Sequence, residues 1–369
     1  MILVNNPGSW DHIYWPLEHA EWNGCTPTDL IMPMFLFIVG VSIVYAMGDR
    51  KQDPANHPML VLRATKRAVV LVLLGWSLAV FPTTHAAVGE LIHSPLRWIA
   101  GMRIMGVLQR IAIVYFACAL LFIKTSWRIW LFVCIAILIG YWAAMTLLPV
   151  PDSANHFLRP NLLPDTNLGA WLDRTLLTPA HLYKHGNWDP EGLFSTLSAI
   201  GSGLIGMLVG DYLKRGSGSP SEKAARIAVV AAGITLVGWV WSLYFPLNKQ
   251  LWTGSFTLYT DGIAAMGLAL GYWWIDIRGH RRFLTVFTAF GLNAITAFWG
   301  SGLVVRLLLL WRASLNGAQI GIKDYLYRTL IEPHFASAKF ASFIGALVFA
   351  AIWSVIVWGM YRRKIFIKV

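Results

Sequence analysis

Nine runs of about twenty mostly apolar residues, the length a bilayer-spanning helix needs, decide what this 369-residue chain can fold into. They cover approximately 28–47, 62–81, 103–123, 128–148, 191–213, 224–245, 256–275, 284–310 and 340–361. Pro27, Pro82, Pro149, Pro190 and Pro246 stand at or near their ends, where a residue without an N–H interrupts no helical ladder. In lipid each backbone polar group must be satisfied within the protein, so each run reads as a helix. The sequence has no series of short alternating strands that would build a barrel. Only 13% of the residues are charged, about half of the ~25% usual in a soluble domain. The expectation is an all-α, polytopic transmembrane helix bundle. It has nine full spans plus an incomplete N-terminal helix, in a single domain over 1–369 with no separate soluble domain.

Basic residues set the orientation. The net charge is +12, but Lys and Arg fall in short clusters between apolar runs, which excludes a nucleic-acid face and fits the positive-inside rule. Alternate connections carry Arg50, Lys51, Arg63, Lys66 and Arg67, then Lys124 and Arg128, then Lys214, Arg215, Lys223 and Arg226. Arg278, Arg281 and Arg282 follow, and Arg362, Arg363, Lys364 and Lys368 complete 18 of the 30 basic residues. This set is expected to be cytoplasmic, together with the C-terminus. Loops 5–27, 82–102, 149–190, 246–255 and 311–339 then face outward, which in a bacterial inner membrane is the periplasm. Met1–Val4 is only about 6 Å of helix at 1.5 Å per residue and cannot span. It reads as the outer end of a helix continued upstream of a misplaced start codon, or else as a short N-terminus resting in the interface.

The outward loop 5–27 contains Trp10, Tyr14, Trp15 and Trp22 and no Lys or Arg, the composition of a membrane–water boundary. In it His19 lies between Glu18 and Glu21, a titratable ring with acidic neighbours and the chain's best position for acid–base chemistry. An interfacial histidine without a catalytic role is the plainer alternative.

Ionisable groups in or beside spans are functional candidates by default, and here they gather at the outer helix ends. Asp29 opens the first span and Glu191 the fifth, each also readable as an N-terminal charge favoured by the helix dipole. Arg103 and Arg110 are seven apart in the third span and so on one face. A buried Arg110 needs either a carboxylate or a ligand. Asn248 and Lys249 follow the sixth span, Asp261 lies near the start of the seventh and Asn293 in the eighth. An outward-facing polar pocket follows if these ends converge. Ser202, Gly206 and Gly210, spaced by four, give a small-residue stripe for close helix packing. Cys25, Cys118 and Cys134 are far apart and read as packing residues. The only histidines at a metal-like spacing, His181 and His185, lack a companion, so no metal is expected. With no Walker motif and no Gly-x-Ser-x-Gly elbow, an enzyme on this chain must use a His or a carboxylate as base.

Several stretches together resemble the heparan-α-glucosaminide N-acetyltransferase family, including its bacterial members tied to N-acetylglucosamine use. They are Val4-Asn5-Asn6-Pro7-Gly8, then His19-Ala20-Glu21-Trp22-Asn23-Gly24 with Thr28-Asp29-Leu30, and Pro33 to Gly40. Gly106-Val107-Leu108-Gln109-Arg110-Ile111, Asp189-Pro190-Glu191-Gly192 and Pro246 to Thr253 follow in family order. The family's basic–acidic opening segment is missing, and the stretch from Asn5 to His19 is a few residues longer than in the animal enzyme. In its complete form the family pattern implies ten or eleven spans.

The resemblance implies an acyltransferase that moves an acetyl group from cytosolic acetyl-CoA, a co-substrate, to the amine of a glucosamine-type sugar on the far side. It implies His19 as the active histidine and Asn5 as its partner in the neighbouring loop. On this reading His19 takes the amine proton and Asn5 holds the thioester carbonyl, with an acyl-histidine intermediate as the other route. Asp29, Arg110, Glu191, Asn248, Lys249 and Asp261 would line the sugar pocket, and Lys66, Arg67 and Lys214 would meet the CoA phosphates. The expected partners are an amino sugar or glucosamine-containing oligosaccharide and the lipid bilayer. A homodimer is admitted and nucleic acid is not. The rival is an inner-membrane amino-sugar carrier, which paired inverted halves and broken helices would favour.

Overall fold

The computed structural model describes residues 1–151, 156–282 and 284–367. Ser153 in the outward loop and Lys368 in the basic C-terminal cluster lie outside the described residues. Among the described residues fourteen α-helices follow one another: α1 (Ile31–Met47), α2 (His57–Val80), α3 (His85–His93), α4 (Pro95–Ala100), α5 (Val107–Lys124), α6 (Trp127–Leu147) and α7 (Leu168–Leu177). Then come α8 (Leu193–Arg215), α9 (Pro220–Trp241), α10 (Gly254–Gly271), α11 (Leu284–Leu292), α12 (Ala294–Leu310), α13 (Ile322–Leu330) and α14 (Ala338–Arg362). Sheet among the described residues amounts to two short antiparallel pairs, Val150–Pro151 with Phe157–Leu158 and Arg312–Leu315 with Ala318–Gly321.

Among the described residues six helices are long and apolar enough to cross a membrane: Pro27–Met47, Val107–Lys124, Trp127–Leu147, Leu193–Arg215, Pro220–Trp241 and Ala338–Arg362. Two bent helix pairs also have the length and composition, each as a broken span or a re-entrant loop. Pro54–Val80 turns by 111° into His85–His93, and Leu284–Leu292 turns by 77° into Ala294–Leu310. The first break falls at Pro82, and Thr84 then caps α3 by accepting from the Ala87 N–H at 3.1 Å. The second falls at Asn293, inside what the sequence presents as one apolar run. Gly254–Gly271 is helical as expected but is not among the helices apolar enough to span. It buries Ser255, Thr257, Thr260 and Asp261 against protein and continues as a π-helical stretch over Tyr272–Ile277.

The chain forms two units. One comprises Ala20–Leu73 and Arg103–His280, built on α1, most of α2 and α5 to α10. One close seam joins α1 and α8. A side chain on Gly206 would sit 2.0 Å from the Phe37 carbonyl oxygen, and one on Gly40 the same distance from the Gly203 carbonyl oxygen. The small-residue stripe is therefore a backbone-to-backbone contact. Gly206→Ala is expected to push the helices apart and cost about 1–3 kcal/mol, the usual penalty of overpacking. A lowered thermal midpoint of the purified protein in detergent checks this.

At one end of this unit the basic connections gather. Lys51 lies over the rings of Phe122 and Trp130 at 4.6 and 4.9 Å, Arg215 donates to the Gly48 carbonyl at 3.0 Å, and Lys214 pairs with Asp49 at 2.7 Å. Because α1, α5 and α8 all end here, their first residues lie at the opposite end, about 25–35 Å away at 1.5 Å per residue. Asp29, Gly106 and Gly192 are placed there together.

The other unit comprises Met1–His19, Leu74–Met102 and Arg281–Val369. Met1–Asn5 is a single turn, closed by the Asn5 N–H on the Met1 carbonyl at 2.9 Å. The following loop is docked on α13 and α14. Gly8 N–H donates to the Ser342 carbonyl at 3.0 Å, the Ser342 hydroxyl donates to the Ser9 carbonyl at 2.9 Å, and Lys323 donates to the Pro7 carbonyl at 2.9 Å. A side chain on Gly8 would meet the Tyr327 ring at 2.4 Å, so the Pro7-Gly8 pair is fixed by packing. Trp98 and Trp299 anchor α4 and α12 to the end of α2 through indole N–H bonds, both 2.9 Å, to the Val80 carbonyl and the Ser77 hydroxyl.

Candidate functional site

The starts of α1, α5, α8 and α10 bring charged residues to one end of the unit formed by Ala20–Leu73 and Arg103–His280. Thr26 caps the 3-10 turn Pro27–Leu30, and Asp29 closes the capping box. The Asp29 carboxylate accepts from the N–H groups of Ala20 and Thr26, at 3.1 and 3.0 Å, and from the Thr26 hydroxyl at 3.1 Å. Its other oxygen is 3.6 Å from the Lys249 ammonium. Asp29 thus fills the N-terminal helix role and also pairs with a cation.

Arg103 was expected on the helix but precedes it. Gly106, fully extended, forms the N-cap of α5, and the helix starts only at Val107. The Arg103 guanidinium makes a two-pronged contact with Asp189, one arm at 2.8 Å, and reaches Glu191 at 2.6 Å. Asp189 also accepts from the N–H groups of Tyr183 and Glu191, both at 2.9 Å. Burial works against a charged Glu191, but Arg103 and Arg110 outweigh it and hold the carboxyl below its ordinary range. Glu191 therefore belongs to an ion-pair cluster in the turn ahead of α8, which begins at Leu193.

Arg110 is fully buried in α5, and its partners are neutral. It bonds the Ser195 and Thr196 hydroxyls and the Gly192 carbonyl, and its guanidinium lies 4.9 Å from the centre of the Trp252 ring. No carboxylate lies within ion-pair distance of it among the described residues; Glu191 and Asp189 act on it only at longer range. The expected choice between a carboxylate and a ligand is replaced by a cage of hydroxyls, a carbonyl and an aromatic face.

Asn248 joins two motifs about 225 residues apart. Its amide donates to Asn23 at 3.2 Å and accepts from the Leu251 N–H at 2.8 Å, while Gly24 N–H donates to the Leu247 carbonyl at 2.7 Å. Trp22 donates to the Leu162 carbonyl at 2.9 Å and meets Trp188 edge to face at 5.2 Å. Residues 20–24 are thus clamped from four directions. Lys249 is mostly buried, and burial lowers its pKa despite Asp29 and Glu191. Burial and then Asp29 push the Cys25 thiol up to about 12, so it is no nucleophile at neutral pH.

Sequence reasoning missed Asp173. It is buried on α7, and its carboxylate accepts from the Leu193 N–H at 2.9 Å, at the start of α8. The one available signal was an acidic residue in the short amphipathic run 168–177. Burial pushes its carboxyl up to about 6, with Asp189 adding to the shift and Arg110 opposing it. A carboxyl raised in the folded state stabilises fully below its unfolded value near 3.8, and that contribution is lost as pH rises through about 6. The loss amounts to roughly 3 kcal/mol. Thermal midpoints measured from pH 4 to pH 7 should fall for the native chain relative to Asp173→Asn, which cannot ionise.

Asp261 stands apart from this cluster. It is fully buried seven residues into α10, beside the Ser202 hydroxyl. The Trp252 indole donates to the same hydroxyl at 3.4 Å, so the link to Arg110 is indirect. Asn293 belongs to the other unit, where its carbonyl oxygen accepts from the Ile367 N–H at 3.3 Å. His19 and Asn5 belong to that other unit as well and are exposed. Asn6, beside Asn5, is buried and donates to the Ile2 carbonyl at 2.8 Å.

The three expected phosphate contacts have different surroundings. Lys214 is engaged by Asp49, Lys66 is exposed on α2, and Arg67 lies over the Tyr115 ring at 4.8 Å. Among the described residues no group of three His, Cys, Asp or Glu side chains is placed to hold a metal.

Over its whole length the chain is similar to heparan-alpha-glucosaminide N-acetyltransferase of Homo sapiens. The two are 27% identical over 418 residues, which take in all of this chain and 58% of the human protein. The protein of the same name from Mus musculus is 26% identical over 417 residues, again 58% of its length. The chain therefore spans a little under three fifths of the curated relatives it matches. No protein-family model matches it.

Proposed function

We propose that the chain, similar over its whole length to heparan-alpha-glucosaminide N-acetyltransferases, is a distant member of that family and an integral membrane acetyltransferase. It transfers the acetyl group of acetyl-CoA to the amine of a glucosamine-type sugar. The observation that carries this reading is the convergence of distant motifs. Residues 20–24, Asp29, Arg103 to Arg110, Asp189 to Gly192 and Asn248 to Trp252 are knitted into one polar cluster at the helix starts. Two helix pairs are bent as a carrier's could be, but a carrier is not favoured, since the relatives are N-acetyltransferases by name.

On this reading His19, immediately before the clamped residues, removes a proton from the sugar ammonium. The freed amine nitrogen attacks the thioester carbonyl, forming the C–N bond. Asn5 donates to the oxygen as it gains negative charge. Collapse breaks the C–S bond, the proton held by His19 passes to the leaving thiolate, and the nitrogen gives its second proton to solvent, so the reaction yields the amide, CoA thiol and one proton. On the same reading Asp29, Lys249, Asn248 and Glu191, with Arg110 held among the Ser195 and Thr196 hydroxyls, are the sugar-binding part of their own unit. Lys66, Arg67 and Lys214 meet the CoA phosphates from the basic end.

The deciding experiment adds labelled acetyl-CoA and glucosamine to purified protein with no gradient across any membrane. Labelled N-acetylglucosamine is expected, and its absence overturns the assignment. Asn5→Ala should lower turnover by roughly 10²–10³, the cost of removing one oxyanion donor; full turnover in this variant would remove Asn5 from the mechanism. The orientation is tested by reporters after Val369 and near Ser153, expected on the cytoplasmic and periplasmic sides of a bacterial inner membrane. Finding both on one side would reverse the placement of the loop.

A further inference from the structure

We propose that the groove between α8, α9 and α10 binds one anionic phospholipid from the leaflet next to the basic connections. The groove encloses a cavity of about 680 Å³. Ala225, Ala231 and Ala265 leave it hollow, while Leu208, Val230 and Ile234 wall it with hydrocarbon. Arg226 is its one charged lining residue. It lies in the second turn of α9, and Ile234, eight residues further on, is about 12 Å deeper at 1.5 Å per residue. Half the hydrocarbon thickness of a bilayer is about 15 Å. The groove is therefore one leaflet deep, apolar along its depth and cationic at its mouth.

The charges at the mouth point to an anion. Arg226 donates to neutral acceptors, the Tyr212 hydroxyl at 3.3 Å and the Ser217 carbonyl at 3.4 Å. Lys223 donates to the Leu213 carbonyl at 3.2 Å. Glu222 accepts from the Ser219 N–H at 3.1 Å and is committed to the cap of its own helix. The neighbouring Lys214 and Arg215 are already matched by Asp49 and Asp211. Arg226 and Lys223 are thus the cations at this mouth with no carboxylate at ion-pair distance among the described residues. A lipid whose phosphodiester charge is not cancelled by a cationic headgroup matches these two better than a zwitterionic one. An acyl chain fills the hollow below.

The full chain, purified in detergent, is offered equal amounts of phosphatidylglycerol and phosphatidylcholine, and the bound lipid is counted by native mass spectrometry. One retained phosphatidylglycerol is expected. Arg226→Gln should lower its preference over phosphatidylcholine about five-fold, the effect of one basic residue at a lipid surface. Ile234→Trp should fill the hollow and release the lipid. Because that variant can fail to fold, phosphatidylglycerol with a photoactivatable acyl chain is also applied to the unaltered protein. Labelling confined to peptides of α8, α9 and α10 supports the site. Equal retention of both lipids, or labelling spread over other helices, overturns it. A doubled particle mass with these peptides unlabelled also overturns it and assigns the groove to a second copy.

Discussion

His19→Ala is expected to reduce acetyl transfer by roughly 10⁴-fold, the upper end of what a positioned general base contributes, while leaving expression and thermal midpoint near those of the native chain. The expectation of intact folding rests on exposure, since His19 belongs to no helix and lies at the surface of a loop. That loop keeps its other attachments in the variant: Gly8 and Ser9 to Ser342 on one side, Ala20 to Asp29 on the other. Steady-state turnover and a melting curve on the same preparation separate the outcomes. Native turnover in His19→Ala would remove it as the base. A collapsed melting curve would make it a structural residue.

The second large effect is expected at Asp189. Its buried carboxylate matches Arg103 and also accepts two loop N–H groups. Asp189→Ala strands a mostly buried guanidinium with only Glu191 to answer it and leaves those two donors unmet. Breaking such a pair by removing one partner costs about 3–5 kcal/mol. The thermal midpoint should drop steeply and the turn 181–192 should become sensitive to protease. Asp189→Asn, which keeps the acceptor but not the charge, should fall between the two. A midpoint unchanged in Asp189→Ala would show that the cluster contributes nothing to the fold.

The membrane helices were legible because lipid allows few alternatives: a twenty-residue apolar run must satisfy its own backbone. The breaks were less so. Pro82 announces the turn after α2, but nothing in the apolar composition of 284–310 announces the bend at Asn293. The cluster was half legible. Asp29, Glu191, Asn248 and Lys249 stand at helix ends and meet as expected, because helices entering from one side place their first residues at one level. Arg103 was misread as helical because spacing counts residues and cannot see an extended Gly106. Arg110 needed the fold, since the hydroxyls of Ser195 and Thr196 that hold it carry no charge to suggest a partner. Asp173 was invisible for a related reason: it reaches α8 from a separate short helix, and its significance lies in what it touches.

The contact between Asp173 and Gly192 also constrains how such a chain can change over generations. A methyl group on Gly192 would lie 1.8 Å from the Asp173 carboxylate, and that carboxylate cannot retreat without releasing the N–H of Leu193. A lineage can lose the glycine only after, or together with, the acid. Gly192→Ala should be far less harmful on an Asp173→Ala background than on the native one, so the order of the two changes decides whether the path between them is passable.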